Sequence, residues 1–110
     1  MKIYNFSKKI LITNNAKSAS TFSDRVLGLL NPKNPRFLII HTHFGIHTLF
    51  MNVPIDIIVL DSSQKIVSIR ENLLPNRIHF YHPKFSTVIE LPQGSIGKFH
   101  IGINDKISIE

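Results

Sequence analysis

The sequence predicts a mostly β (α+β) fold: a small barrel-like or sandwich β domain of about seven short strands with one short amphipathic helix. Two observations predict it. Short apolar stretches that alternate with polar residues recur along most of the chain, and turn-forming residues separate them. Only one stretch carries the spacing of an amphipathic helix. The length of 110 residues and the apolar fraction of 43% predict a single domain, residues 1–110, with one core.

The first elements are two short strands and the helix. Ile3, Ile10 and Ile12 alternate with polar neighbours, which predicts strands at the start of the chain and at residues 9–13. Ser20 or Thr21 supplies a helix N-cap. The apolar residues after this cap have the helical spacing i, i+4, i+7 and i+8: Phe22, Val26, Leu29 and Leu30. The two prolines within residues 31–35 end the helix, because proline lacks a backbone donor.

The remainder of the chain reads as strands. They are predicted at residues 37–42, 46–52, 55–60, 65–70, 78–81, 87–91 and 106–110. The clearest hairpin spans residues 55–70, because Asp-Ser-Ser at residues 61–63 supplies turn residues between two apolar stretches. A further turn is predicted at residues 92–94, where Gly94 permits close packing or a positive φ.

Composition excludes several classes of protein. The chain has no cysteine, which excludes disulfides, thiolate zinc sites, iron–sulfur clusters and cysteine nucleophiles. The longest apolar runs, residues 37–40 and 57–60, have four residues each, far short of the roughly 20 that span a bilayer. No membrane span is therefore predicted. Residues 1–9 carry lysines instead of the apolar stretch of a secretory signal, so we expect a cytoplasmic protein.

The protein is basic, with a net charge of +6. The excess lies in residues 1–40, where seven basic residues stand against Asp24: Lys2, Lys8, Lys9, Lys17, Arg25, Lys33 and Arg36. Such a segment can attract the phosphates of nucleic acids. These residues are spread singly, and no aromatic residues interleave with them as in RNA-binding strands. A solvated face is therefore favoured, and nucleic acid is not an expected partner.

Four ordered segments carry a resemblance to a known family. Residues 25–30 (Arg-Val-Leu-Gly-Leu-Leu), 46–56 (Ile-His-Thr-Leu-Phe-Met-Asn-Val-Pro-Ile-Asp), 74–77 (Leu-Pro-Asn-Arg) and 88–94 (Val-Ile-Glu-Leu-Pro-Gln-Gly) resemble motifs of the domain of unknown function 192 family. The likeness covers roughly residues 8–110. It implies a shared fold, but no reaction, cofactor or partner, because the family has none that is agreed.

Asp56 is the most informative carboxylate. It interrupts a run of aliphatic residues over 55–60, where an unpaired ionised group is costly to bury, so it must have a partner. The favoured interpretation is structural: Asp56 accepts backbone N–H bonds from the turn at residues 52–54, or pairs with Arg25 or Arg77. The other interpretation makes it an acid, a base or a metal ligand at the mouth of a barrel.

Glu90 and the histidines are weaker candidates. Alternation places Glu90 opposite Ile89 and Leu91, so that Glu90 faces outward or into a groove if those two face the core. A structural or exposed role is favoured over acid/base work with Asp56. His41 and His43 would share one face of a strand at the spacing of a metal pair, but ordinary imidazoles are favoured and no metal site is predicted.

These observations favour a non-catalytic module that binds a small molecule or a protein, with no cofactor. The oligomeric state stays open. One alternative is a hydrolase-like or metal-assisted enzyme that uses Asp56, Glu90 and His47; a second is weak electrostatic binding of nucleic acid. The candidate binding site combines polar and gap-filling side chains from the resembling segments: His47, Thr48, Met51, Asp56, Arg77 and Glu90.

Overall fold

A computed structural model describes residues 1–18, 37–41, 46–47, 54–74, 77–79, 81–82, 84–85 and 87–110, with the backbone alone described at 46–47 and 78–79. Within these ranges the chain forms ten strands and one helix. They are β1 (Ile3–Asn5), β2 (Ile10–Thr13), β3 (Lys17–Ser18), β4 (Leu38–His41), β5 (Ile46–His47), β6 (Ile55–Leu60), β7 (Ile66–Leu73), β8 (Ile78–His79), β9 (Thr87–Pro92), α1 (Ser95–Lys98) and β10 (Ile107–Ile109).

The described strands form three sheets. The largest has five strands in the order β3-β4-β9-β6-β7, with β9 at its centre. Strand β3 runs parallel to β4, and the other pairs are antiparallel. The second sheet, β10-β1-β2, joins the two ends of the chain, and the third pairs β5 with β8. The predicted mostly β fold with one short helix is confirmed, and across the described ranges the sheets are open and do not close into a barrel.

The predicted hairpin over residues 55–70 is confirmed as β6 and β7. Asp61 closes its turn, because one carboxylate oxygen accepts the backbone N–H groups of Ser63 and Lys65, each at 2.9 Å. The bond from the Lys65 N–H is the main cause that lowers the pKa of Asp61 below its ordinary value. Strand β7 continues to Leu73, three residues beyond the predicted end.

The five-stranded sheet is buried on both faces. All six residues of β6 are buried, as expected for a strand that is covered on either side. On one face, Ile39, Ile58 and Ile89 belong to a core cluster that continues into the sheet of the chain ends. On the other face, Leu38 and Ile57 belong to a second cluster, against which half-buried aromatic side chains pack.

The described helix and strand β3 do not correspond to any predicted element. The helix predicted from Ser20 or Thr21 to Leu30 lies outside the described residues. The helix that the structure contains, α1, was not predicted; it is a single turn that begins directly after Gly94, whose φ of 88° confirms the expected positive value. Strand β3 was also missed, since its two residues are polar and exposed. No helix among the described residues is long and apolar enough to span a membrane.

Candidate functional site

Asp56 holds two separate elements together. It lies on β6 and is 1% exposed. One carboxylate oxygen accepts the backbone N–H of Asn72 at 2.9 Å, and the other accepts the backbone N–H of Ile96, also at 2.9 Å. Charge-assisted bonds of this kind compensate a carboxylate for the loss of water. Asp56 therefore fixes an irregular part of β7 to the first turn of α1.

The structural interpretation of Asp56 is confirmed in the kind of partner, and the structure adds two donors that were not predicted. Backbone N–H groups do hold the carboxylate, and the described donors are those of residues 72 and 96. The predicted donors at residues 52–53, and Arg25, lie outside the described residues. Asn72 has a positive φ of 56° and lies where the register of β7 against β6 shifts. An irregular strand turns an N–H group out of the ladder, and Asp56 accepts it.

A second link joins this network to the protein surface. The side-chain oxygen of Asn72 accepts a bond of 2.7 Å from the side-chain amide of Gln93. Gln93 is exposed and stands between the end of β9 and α1. Ser95, in the same connection, donates its hydroxyl to the backbone oxygen of Pro92 at 2.6 Å. The connection from β9 to α1 is therefore fixed by two contacts: Ile96 donates to Asp56, and Gln93 donates to Asn72.

A pocket of about 310 Å³ opens beside this connection, and we call it the α1 pocket. Its lining combines apolar side chains with the residues of the connection and one cation: Ile12, Phe37, Pro92, Gln93, Gly94, Ser95, Lys98 and Phe99. The rings of Phe37 and Phe99 stand edge to face, with their centres 6.4 Å apart. The volume lies at the lower end of the range of roughly 300–1,000 Å³ that is typical of ligand pockets.

Lys98 supplies the charge of the α1 pocket. Its side chain is exposed, and the amino group lies 5.3 Å from the centre of the Phe99 ring. The lining contains no acidic residue. The two ion pairs found among the described residues join Lys2 to Glu110 and Lys8 to Asp105, so neither involves Lys98. The pocket thus has an apolar interior and a positive rim.

Glu90 lies on the opposite face of the same sheet. Cross-strand partners point to the same face, and the register pairs Glu90 with Ile57 and Leu38 but pairs Asp56 with Leu91. Because Asp56 and Ile57 are consecutive, the two carboxylates point to opposite faces. The prediction that Glu90 faces outward or into a groove is wrong: its side chain is 0% exposed, since this sheet is covered on both faces.

The four predicted site residues that the structure describes lie in three places. Asp56 and Glu90 occupy neighbouring strands but are not brought together. His47 and Arg77 are close along the small sheet, because His47 pairs with Ile78 in β8 and the exposed Arg77 directly precedes it. Thr48 and Met51 lie outside the described residues. None of the four described residues lines the α1 pocket, which Asp56 supports through its bond to α1. The six-residue site stays a prediction.

Two lysines of the N-terminal third, Lys2 and Lys8, form ion pairs with acidic residues near the C-terminus. Lys8 donates to Asp105 at 2.7 Å and to the backbone oxygen of His100 at the same distance. The same Asp105 oxygen accepts the side-chain amide of Asn5 at 2.8 Å. Lys2 lies 3.9 Å from Glu110, with both side chains exposed. These pairs favour a role for the lysines in joining the chain ends.

The residues of the α1 pocket were not recognised in the sequence. They come from separate stretches of the chain at 12, 37, 92–95 and 98–99, and no motif links them. The one signal in the sequence was Gly94, which ends the family element at 88–94 and was predicted to permit close packing or a positive φ. Folding alone brings Phe37 and Phe99 together, so a sequence pattern could not have identified the pair.

Comparison with known proteins agrees with the resemblance of the four motifs. The chain is 32% identical to a UPF0127 protein of Thermococcus sibiricus, which it matches over 98% of its own length and 74% of the relative's. It is 31% identical to the UPF0127 protein PH1112 of Pyrococcus horikoshii, over 96% of each chain.

A solved structure shares the fold. It is a protein of unknown function from Novosphingobium aromaticivorans, with a TM-score of 0.74 and 16% identity over 98% of this chain and 82% of that one. The model of the DUF192 family, described as "Uncharacterized ACR, COG1430", matches residues 5–109. The chain therefore belongs to the DUF192 family.

Proposed function

We propose that the protein is a non-catalytic module that binds a small molecule in the α1 pocket. The observation that carries this proposal is the pocket itself: a concave site of about 310 Å³ that combines an apolar interior with a few polar groups at its rim. Sites with this composition are the usual places where proteins bind small ligands. Two phenyl rings at 6.4 Å give the interior its shape.

The rim of the α1 pocket is preorganised, which favours binding. The Asp56 carboxylate accepts the N–H of Ile96 from beneath, and the Ser95 hydroxyl is bonded to Pro92. Gln93 is bonded to Asn72. A ligand that enters such a rim does not have to order it, and this lowers the entropic cost of association.

Binding is favoured over catalysis because the pocket offers Lys98 no carboxylate or imidazole with which to share acid/base or nucleophilic chemistry. Its lining includes no carboxylate and no imidazole, and its one hydroxyl, that of Ser95, already donates to Pro92. The alternative enzyme required Asp56, Glu90 and His47 around one point. Asp56 and Glu90 point to opposite faces of the sheet, so this pair cannot serve a single substrate atom.

The test is chemical-shift mapping by NMR with a panel of small aromatic and aliphatic compounds that carry positive, negative or no charge. We expect at least one compound to perturb the backbone signals of Gly94 and Phe99 in a saturable manner. Phe99→Leu removes one of the two ring walls and should weaken that binding about tenfold, since burying an aromatic group is worth about 1–2 kcal/mol.

Phe85→Leu is the matched control. Phe85 is also half-buried beneath a lysine, Lys84 at 5.1 Å, but it packs on the opposite face of the sheet. This variant should leave binding unchanged. If no compound shifts the pocket signals, or if both variants weaken binding equally, the α1 pocket is not the binding site.

A further inference from the structure

We infer that the α1 pocket selects a small carboxylate that bears an aromatic or branched aliphatic group, with the carboxylate at the Lys98 amino group. This inference rests on the proposed function, and it adds the chemical class of the ligand. Three features of the described residues carry it: the charge at the rim, the rings in the interior and the volume of the pocket.

The charge at the rim selects an anion. Lys98 is the single charged residue of the lining, and no described acidic side chain forms an ion pair with it. Its amino group lies 5.3 Å from the centre of the Phe99 ring. The ring therefore holds the lysine stem near the mouth, while the exposed head keeps the charge available. A cationic ligand would be repelled here, because the protein also carries a net charge of +6.

The interior selects an apolar group of limited size. Phe37 and Phe99 stand at 61° with their centres 6.4 Å apart, and Ile12 adds a buried aliphatic wall. An aromatic or branched aliphatic group contacts such a pair favourably. Because about 310 Å³ is close to the minimum for a ligand pocket, the occupant is one small molecule, not a segment of a polymer.

The positions of Lys98 and of the two rings determine how the ligand is oriented in the pocket. Lys98 and Phe99 are consecutive, and the exposed lysine lies over the ring of the half-buried Phe99. The apolar group then points inward and the carboxylate outward. The carboxylate consequently keeps part of its hydration, and its bond to Lys98 contributes as an exposed ion pair does.

The test compares three probes that share one apolar group: hydrocinnamate, its neutral amide, and phenylpropylamine. Titrations followed by NMR at low salt give a dissociation constant for each. We expect hydrocinnamate to bind about fivefold more tightly than the amide, and the amine to bind most weakly. Added salt should reduce the preference for the carboxylate, because the ion pair is exposed.

The variants assign the preference to one side chain. Lys98→Gln should make hydrocinnamate and the amide bind equally, whereas Lys98→Arg should retain the preference. Lys84→Gln is the matched control, because Lys84 lies over Phe85 in the same type of contact, away from the α1 pocket. It removes the same charge from the protein and should leave the preference intact.

The outcomes separate the two proposals. If the carboxylate and the amide perturb the pocket signals with equal affinity, the inferred ligand class is wrong while the binding function stands. A preference that survives in Lys98→Gln, or disappears in Lys84→Gln, also contradicts the role of Lys98. If none of the three probes perturbs the pocket, both the ligand class and the use of this pocket are overturned.

Discussion

Asp56 and Glu90 are acidic residues on neighbouring strands of one sheet, and they are equally hidden from water, at 1% and 0% exposure. Their described neighbours differ. Asp56 lies on the face where the backbone N–H groups of Asn72 and Ile96 converge. Glu90 lies on the face where its cross-strand partners are Leu38 and Ile57. Burial by itself therefore does not define the role of a carboxylate; the groups that surround it do.

The two carboxylates therefore have different structural roles on the two faces of the five-stranded sheet. On the Asp56 face, the carboxylate accepts backbone N–H groups that have no partner within the secondary structure. One belongs to the irregular part of β7 and the other to the start of the short helix α1. The α1 pocket stands directly beyond that helix. On the Glu90 face, the carboxylate interrupts an aliphatic surface that Tyr81 and Phe85 help to cover. Variants of each acid test this division.

Of all the variants, Asp56→Ala should lower the free energy of unfolding the most. Asp56→Ala leaves the buried N–H of Ile96 and the partly buried N–H of Asn72 without an acceptor, and we expect a loss of about 3 kcal/mol in the free energy of unfolding. Urea denaturation followed by circular dichroism measures it. Asp56→Asn retains one acceptor oxygen but presents an amide donor to the second N–H group, so a loss of about 2 kcal/mol is expected. The milder variant remains informative if the alanine variant does not fold.

Asp61→Ala is the matched control for Asp56→Ala. Asp61 also accepts two backbone N–H bonds, from Ser63 and Lys65, but its turn is open to water. Water can then replace the lost acceptor, so this variant should lose less stability than Asp56→Ala. Equal losses at the two positions would mean that the burial of the Asp56 partners contributes nothing.

Asp105 extends the comparison to a carboxylate that a lysine holds. One of its oxygens accepts bonds from Lys8, Asn5 and the N–H of Gly102 at 2.7, 2.8 and 2.9 Å. Burial opposes ionisation of Asp105, but these bonds outweigh it and lower its pKa below the ordinary 3.8. We expect Asp105→Asn to cost about 2 kcal/mol near neutral pH. Glu110→Gln, which breaks the exposed pair with Lys2, should cost less than about 0.5 kcal/mol.

The sign of the pH dependence follows from the lowered pKa. A group whose pKa is lower in the folded state stabilises the protein fully above its unfolded pKa, and this contribution is lost as pH falls through the folded pKa. The difference in urea midpoint between the wild type and Asp105→Asn should therefore be largest above pH 3.8 and shrink at more acidic pH. A difference that is constant across that range would show that the charge of Asp105 is not the stabilising feature.

The strands could be predicted because their signal is local. Alternation and turn residues identified β6 with its limits at Ile55 and Leu60, and they placed the turn at Asp61. The single-turn helix α1 could not be predicted in this way. One turn is too short for a periodic pattern, and this one is held by an acceptor 40 positions away in the chain, Asp56.

The surroundings of the two buried carboxylates and the α1 pocket could not be predicted, because their contacts join residues that are far apart in the sequence. Sequence alone indicated that Asp56 needs a partner, because an unpaired charge among aliphatic residues is costly. It could not indicate the donors, since they belong to later elements of the chain. The same holds for Glu90, whose burial results from the cover on the second face, and for the α1 pocket, whose ring walls Phe37 and Phe99 meet only in the fold.

A small effect is expected at Glu90, and it tests the comparison with Asp56 most directly. Glu90→Gln and Asp56→Asn are the same chemical change, a carboxylate to a carboxamide, on adjacent strands. Glu90→Gln keeps the shape of the side chain and one acceptor oxygen, and the cross-strand neighbours at this position, Leu38 and Ile57, are apolar. We therefore expect its free energy of unfolding to stay within about 1 kcal/mol of the wild type, against a loss of about 2 kcal/mol for Asp56→Asn. If Glu90→Gln costs more than Asp56→Asn, the charge on the aliphatic face is the more strongly stabilised of the two, and the division of work between the faces is reversed.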